Sequence, residues 1–90
     1  MTLVARDLKI VNQRGLHARA AAKFVKVACA FEAIITVCHG GTEVCGTSIM
    51  GLMMLAAGNG TTISVRAEGV DAASAVDALA ALVGGRFDED

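Results

Sequence analysis

Apolar residues change their spacing repeatedly along this chain, and the changes restrict it to a domain built from short strands and helices. Leu8 and Ile10 alternate with polar neighbours, which predicts a half-buried strand over residues 4–11. From His17 onward the spacing becomes helical, and one apolar face consists of Ala21, Phe24, Val25 and Ala28. Because the chain has only 90 residues, these elements form one domain, residues 1–90, rather than two.

The same two patterns continue along the chain. Further strands are predicted over 33–38, 43–46 and 61–67, with a hairpin turn at the glycine pair between the first two of them. Further helices begin at Ser48 and Asp71, residue types that can cap a helix start, and the last helix ends at a second glycine pair. The acidic tail, residues 86–90, is expected to be mobile.

The resulting element order is β-α-β-β-α-β-α, an arrangement of the α+β class. Each strand is apolar on one face, so we expect an antiparallel or mixed sheet with helices on that face and solvent on the other. A domain of this size buries only a modest core. A reactive group should therefore lie at the surface rather than in a deep cavity.

Composition excludes several classes of function. The net charge is −1 and only 3% of residues are aromatic, so the chain lacks the basic field and the stacking surfaces of a nucleic-acid-binding protein. No apolar run is long enough for membrane insertion, and the first residues lack a secretion pattern, so a cytoplasmic location is expected. The odd number of cysteines, three, is typical of reduced thiols.

Cys38, His39 and Cys45 allow a metal-binding interpretation that their spacing disfavours. Adjacent residues of a strand point to opposite faces, so Cys38 and His39 would not readily share one ion. A fourth ligand is also missing from the sequence. We therefore expect incidental thiols and a turn histidine, with no metal site and no cofactor.

The start of the first helix carries the chemistry. Its boundary residue is His17 rather than Ser, Thr, Asp or Asn, so the N–H groups of Ala18, Arg19 and Ala20 remain available to bind an external group. The helix dipole and the Arg19 guanidinium both favour an anion there. A phosphoryl group on the His17 ring would lie at such a site. The alternative is that His17 is simply a polar residue beside solvent.

The segment Gly15-Leu16-His17-Ala18-Arg19 resembles the phosphorylation-site motif of the HPr family, the phosphocarriers of the bacterial phosphoenolpyruvate:carbohydrate phosphotransferase system, and the nitrogen-related NPr proteins are similar too. The likeness continues through residues 21–25 and returns at 46–55 and 62–69, so it covers essentially the whole chain. It implies an open-faced β-sandwich, in which helices cover one side of a four-stranded antiparallel sheet.

The resemblance also implies roles for individual residues. His17 would accept phosphate on Nδ1 from Enzyme I and deliver it to an EIIA-type protein, with Arg19 neutralising the phosphoryl charge. Ser48 matches the family's regulatory serine, the target of an HPr kinase/phosphorylase in many bacteria, although Thr47 stands where the family commonly has Lys. Such a chain is a monomeric carrier, a substrate of phosphotransferases rather than an enzyme.

A docking surface beside His17 is expected from Lys23, Lys26, Ile49, Met50 and Met53. The lysines would complement acidic partners, and flexible methionines suit several partners. The blander interpretation places the apolar residues in the core and makes the lysines a solvated face.

Ala20 departs from the family pattern, which has Pro there. An alanine restores one N–H at the helix start, so the carrier function should survive with a different transfer rate. This departure and the NPr-like tail at residues 87–90 favour a second hypothesis, a regulatory binding module whose phosphorylation state controls docking without sugar transport. A third, a small α/β ligand-binding domain, leaves the His17 motif unexplained.

Overall fold

The computed structural model describes residues 2–89. Strands β1 to β4 are Leu3–Lys9, Ile34–His39, Thr42–Cys45 and Thr62–Glu68, and helices α1 to α3 are Ala18–Ala28, Ile49–Met54 and Ala72–Gly84. The predicted order β-α-β-β-α-β-α is confirmed, and most element ends differ from the sequence-based bounds by one or two residues. No helix of this part of the chain is long and apolar enough to cross a membrane.

The four strands form one sheet in the order β1-β4-β2-β3. Every neighbouring pair is antiparallel, which decides between the antiparallel and mixed sheets that the strand patterns left open. Val37 of β2 pairs with Val65 of β4 in the centre of the sheet. Antiparallel sheets tolerate one solvated face, as the alternating strand sequences require.

The core lies between one face of this sheet and the helices. Strand residues of the core are Leu8, Ile35, Val37, Ile63, Val65 and Ala67, and helix residues include Phe24, Leu52, Val76, Leu79 and Val83. Burial of each large aliphatic or aromatic side chain contributes roughly 1.5–3 kcal/mol. In α1 the predicted apolar face is rotated slightly, because Ala20 is buried while Val25 is only partly buried.

Asp71 does not cap α3 as predicted. It precedes the helix, but its side chain makes no capping hydrogen bond. Instead, the Asp71 carboxylate accepts a hydrogen bond of 2.8 Å from the backbone N–H of Glu32, in the loop after α1. Only the packing of two distant loops made this partner available, so no local sequence signal could have indicated it.

The expectation of a mobile tail is wrong for residues 86–89, while Asp90 lies outside the described residues. The side chain of Phe87 is buried, with 1% of its surface exposed. Arg86, Phe87 and Asp88 all adopt left-handed backbone angles, with φ of 61°, 53° and 62°. Such angles cost about 1–2 kcal/mol per non-glycine residue. The tail turn is therefore held by its contacts, above all by the burial of an aromatic ring.

Candidate functional site

A tightly packed glycine places the loop before α1. Gly15 has a φ of +68°, and a Cβ added to it would lie 2.6 Å from the carbonyl oxygen of Ala57. The next residue, Leu16, is buried and donates its backbone N–H to that same oxygen at 2.9 Å. Only glycine combines this close approach with a left-handed backbone. The loop is thereby fixed against residue 57, and His17 is held at the helix start.

The start of α1 is open, as the sequence predicts. His17 occupies the N-cap position without a side-chain capping bond. The first helical hydrogen bond runs from the N–H of Ala21 to the carbonyl of His17, at 2.8 Å. Within residues 2–89, the N–H groups of Ala18, Arg19 and Ala20 have no acceptor. Ala18 and Arg19 are exposed, whereas Ala20 is buried. Free N–H donors and the helix dipole are the features by which helix starts attract anions.

The His17 ring is held by the tail. Its Nε2 atom is hydrogen bonded to the carboxylate of Glu89, and both side chains are mostly buried. The same Glu89 oxygen accepts a hydrogen bond of 3.1 Å from the Asn12 side-chain amide. That amide also donates to the carbonyl of Gly15 at 2.8 Å. Asn12 therefore joins the loop to the tail and orients the acid toward the imidazole.

This contact determines which ring nitrogen is free. The hydrogen bond from His17 holds the pKa of the Glu89 carboxyl below its ordinary value, with smaller help from Asn12. Glu89 is therefore ionised near neutral pH, and an ionised carboxylate can only accept a hydrogen bond. Nε2 must then carry the ring proton. In the neutral ring Nδ1 keeps its lone pair, and it has no hydrogen-bond partner among the residues of the structure, 2–89.

The three basic residues of α1 have different surroundings. Arg19 and Lys26 are exposed, and neither forms a salt bridge within the described part of the chain. Lys23 instead donates to the carbonyl of Phe87 at 2.7 Å and lies 3.9 Å from the carboxylate of Asp88. Lys23 thus helps to hold the tail, so part of its charge is already neutralised. Arg19 remains the cation with free donors beside His17.

Helix α2 packs against α1 and carries an exposed apolar surface. The predicted cap is confirmed, because Ser48 Oγ accepts a hydrogen bond of 3.0 Å from the Gly51 N–H. Leu52 is buried, whereas exposed fractions of 41%, 70%, 41% and 76% are found for Ile49, Met50, Met53 and Met54. We name these four residues the α2 patch. Met54 was not among the residues expected at the docking surface, because α2 has only six residues and its spacing did not indicate which way Met54 faces.

The cysteines and the second histidine form no metal-binding group. Among residues 2–89 no cluster of three or more His, Cys, Asp or Glu residues could hold an ion. Cys38 Sγ contacts Glu43, Cys45 Sγ contacts the Thr47 hydroxyl, and all the cysteines are free thiols. His39 Nδ1 lies 3.2 Å from the carbonyl oxygen of Thr62. Cys38, His39 and Cys45 lie on strands β2 and β3, whereas Cys29 is the residue at the end of α1.

Asn12 and Glu89 are parts of the site that were not predicted from the sequence. Asn12 lies in the loop before the helix, and Glu89 lies 72 residues from His17 along the chain. Neither belongs to the motif around His17. One signal was present in the sequence. Phe87 is one of only three aromatic residues, and an aromatic residue two positions before Glu89 indicates a buried anchor for the tail.

Comparisons with known proteins agree with this geometry. The family model described as PTS HPr component phosphorylation site matches residues 4–84. HPr of Cupriavidus necator is 45% identical over 97% of this chain and 98% of its own, and NPr of Shewanella violacea is 45% identical over 99% and 98%. The crystal structure of HPr-C-His from Thermoanaerobacter tengcongensis matches with a TM-score of 0.89 at 39% identity, covering 100% and 99% of the two chains.

Proposed function

This chain belongs to the HPr family of phosphocarrier proteins, which carry phosphate and are not catalysts, and we propose that it accepts a phosphoryl group on Nδ1 of His17. The donor is phospho-Enzyme I, charged from phosphoenolpyruvate, and the acceptor is an EIIA-type protein. The single observation that carries the proposal is the Glu89 contact at Nε2, because it leaves Nδ1 as the nucleophilic nitrogen. With these partners, the transfer would take place in the cytoplasm.

The transfer follows from the groups around His17. The Nδ1 lone pair attacks phosphorus, the new N–P bond forms, and the bond between phosphorus and the donor breaks. The incoming phosphoryl oxygens are met by the free N–H groups of Ala18 and Arg19, by that of Ala20 and by the Arg19 guanidinium. Throughout, Glu89 keeps the proton on Nε2 and so preserves the tautomer.

The same arrangement keeps the phosphate transferable. Glu89 places a negative charge at the ring that carries the phosphoryl group, and like charges repel. The donors around the site are a helix start and one exposed arginine, not a closed pocket. Moderate attraction together with this repulsion suits a group that must be passed onward.

The docking surface in this proposal consists of the α2 patch with Lys23 and Lys26. Its support is the exposure of the α2 patch and the packing of α2 against α1. The exposed Lys26 and Arg19 would attract acidic partner surfaces and speed brief encounters. Lys23 contributes less of this attraction, because its ammonium group already contacts the Phe87 carbonyl and the Asp88 carboxylate.

Ser48 is proposed as a regulatory phosphorylation site for an ATP-dependent kinase of the HPr kinase/phosphorylase class. Its Oγ accepts from the Gly51 N–H, so the hydroxyl proton remains free. Phosphate there would add about −1.5 to −2 charges at a helix start, which the fold tolerates. The charge would lie next to the α2 patch and repel an acidic partner. A kinase should label the wild type and Thr47→Ala but not Ser48→Ala; loss of label from Thr47→Ala would contradict the assignment.

The carrier proposal is tested with Enzyme I and phosphoenolpyruvate. Wild-type protein should acquire a phosphohistidine that is labile in acid and stable in base, and phosphorus NMR should assign it to Nδ1. His17→Ala should lose the label completely. The chain's other histidine provides a matched control, so His39→Ala should be labelled like the wild type. Persistent labelling of His17→Ala would disprove the assignment.

A regulatory role without sugar transport is the second candidate. Relatives named HPr and NPr match at the same 45% identity, so both branches of the system are represented. In this role the phosphorylation state of His17 or Ser48 controls which partners dock. Affinity capture with His17→Glu and His17→Ala should then recover different partners. Identical partner sets would contradict a switch, and the carrier function would then be the one remaining candidate.

A further inference from the structure

A shallow apolar groove lies at the end of the molecule where α1 terminates. We name it the distal groove. Its volume is about 490 Å³, and its lining is Phe31, Glu32, Ala33, Ile34, Glu68, Gly69 and Val70. The loop after α1 supplies one wall, and the end of β4 with the following turn supplies the other. None of these residues belongs to the site around His17.

Two loops are locked together to form the distal groove. A Cβ on Gly69 would lie 2.6 Å from the Glu32 carbonyl oxygen, so only glycine permits this approach. Asp71 accepts the Glu32 N–H at 2.8 Å and returns its own N–H to the Glu32 carbonyl at 3.2 Å. A groove with fixed walls loses little conformational entropy when it is filled.

Apolar side chains at the distal groove are unusually exposed. Ile34 and Val70 have 67% and 80% of their surface in contact with solvent. Leu3, which is also exposed, pairs with Glu68 across the strands, and Glu68 pairs with Ile34 in turn. Neighbours of this kind have Cβ atoms about 5 Å apart. The side chains of Leu3, Glu68 and Ile34 therefore form a row across the strands, with the acid in the middle.

The charge at the distal groove has one sign. Glu32 and Glu68 are exposed, and neither takes part in a salt bridge within residues 2–89. No lysine or arginine lines the groove. At the other end of α1, beside His17, the exposed Arg19 gives the surface the opposite charge, while Lys26 lies in the last turn of α1 and is not among the groove's lining residues. An occupant of the groove must satisfy both an apolar surface and two unpaired carboxylates.

We propose that the distal groove binds a segment of a partner protein that presents one apolar side chain between lysine or arginine residues. The apolar side chain packs on Ile34 and Val70, and the flanking cations pair with Glu32 and Glu68. The groove begins beyond the last turn of α1, a helix of 11 residues and hence about 16 Å long. A partner bound there leaves His17 free for phosphate exchange.

The test is an NMR titration of the full chain with a five-residue peptide that carries one leucine between two lysine pairs. Amide signals of residues 31–34 and 68–70 should shift, with a dissociation constant on the order of 1 mM. Glu32→Gln combined with Glu68→Gln should weaken binding about fivefold. These carboxylates are exposed and unpaired, so the variant should fold normally. A control with Glu43→Gln, on the sheet outside the groove, should bind like the wild type.

A second peptide separates specific docking from simple charge attraction. Replacing its leucine by serine should weaken binding about fivefold, because the apolar contact is lost. Equal binding of both peptides, shifts centred on the α2 patch, or unchanged affinity of the double variant would each overturn the proposal. Concentration-dependent shifts at residues 31–34 without peptide would show that a second copy is the occupant, which also overturns it.

Discussion

Helices α1 and α2 differ in how their N-terminal N–H groups are capped. At α2 the Ser48 hydroxyl accepts the Gly51 N–H, so one backbone donor is satisfied within the helix itself. At α1 the boundary residue is His17, which makes no capping bond, and the N–H groups of the first turn have no acceptor in the described chain. A capped start stabilises the fold. An uncapped start costs some stability but leaves its N–H donors available to a ligand. The cap of α2 therefore has a structural role, whereas the open start of α1 is suited to binding.

After substitution of His17 itself, substitution of Arg19 beside the open helix start should cause the largest loss of phosphate transfer. Arg19→Ala should lower the rate of phosphate transfer about tenfold to a hundredfold, because one charge that stabilises the phosphoryl group is removed. Its exposed guanidinium predicts almost no change in folding stability. Rapid-quench kinetics with phospho-Enzyme I measures the rate. Arg66→Ala, on the open face of the sheet, is the matched control and should transfer normally.

Substitution at the capped start tests the other side of the comparison. Ser48→Ala should lower the free energy of unfolding by about 1 kcal/mol, because the Gly51 N–H loses its acceptor. Ser48→Asp keeps an acceptor and should retain most of that stability. Urea denaturation provides the measurement. A larger loss of stability from Arg19→Ala than from Ser48→Ala would break the distinction between a structural and a chemical helix start.

Acid should release the tail from the open start. The pKa of Glu89 is lowered from its ordinary value of 4.5 by His17. A carboxyl group with a lowered folded-state pKa stabilises the fold fully above the unfolded value and loses this contribution as pH falls through the folded value. Below pH 4.5, the ring signals of Phe87 should therefore move toward those of an exposed side chain. NMR spectra recorded against pH provide the measurement.

The matching variant for this experiment is Glu89→Gln. Its side chain does not ionise, so the position of the Phe87 signals should no longer depend on pH in the acid range. Asp77→Asn changes an exposed acid of α3 that pairs with Arg6 of β1 and should leave the wild-type profile intact. A wild-type profile in Glu89→Gln would show that another group controls the tail.

Ala20 should have the smallest effect. Its N–H has no acceptor in the described chain, and proline is tolerated in the first turn of a helix. Ala20→Pro should therefore fold normally and change the transfer rate by less than about threefold, since one of several donors is lost. A tenfold fall in the transfer rate would show that this N–H is a principal phosphate donor.

Much of the site was predictable because its parts are close in sequence. His17, Arg19 and the open helix start belong to one segment, and Ser48 caps the helix that it precedes. Local spacing and residue type were sufficient for these assignments. Glu89 and Lys23 show the limit of that reasoning. Lys23, expected either at a docking surface or on a solvated face, binds a tail more than 60 residues away, and the tail that was predicted to be mobile holds the histidine.

The sequence alone determined the element order, the apolar face of each strand and the position of His17 at an uncapped helix start. These properties depend on spacing between near neighbours, which the backbone geometry of helices and strands converts directly into faces and ends. Only the tertiary structure decided which ring nitrogen is free, where Asp71 finds its partner and how the distal groove is formed. Each of those outcomes requires two segments distant in the chain to meet, and packing, not local preference, brings them together.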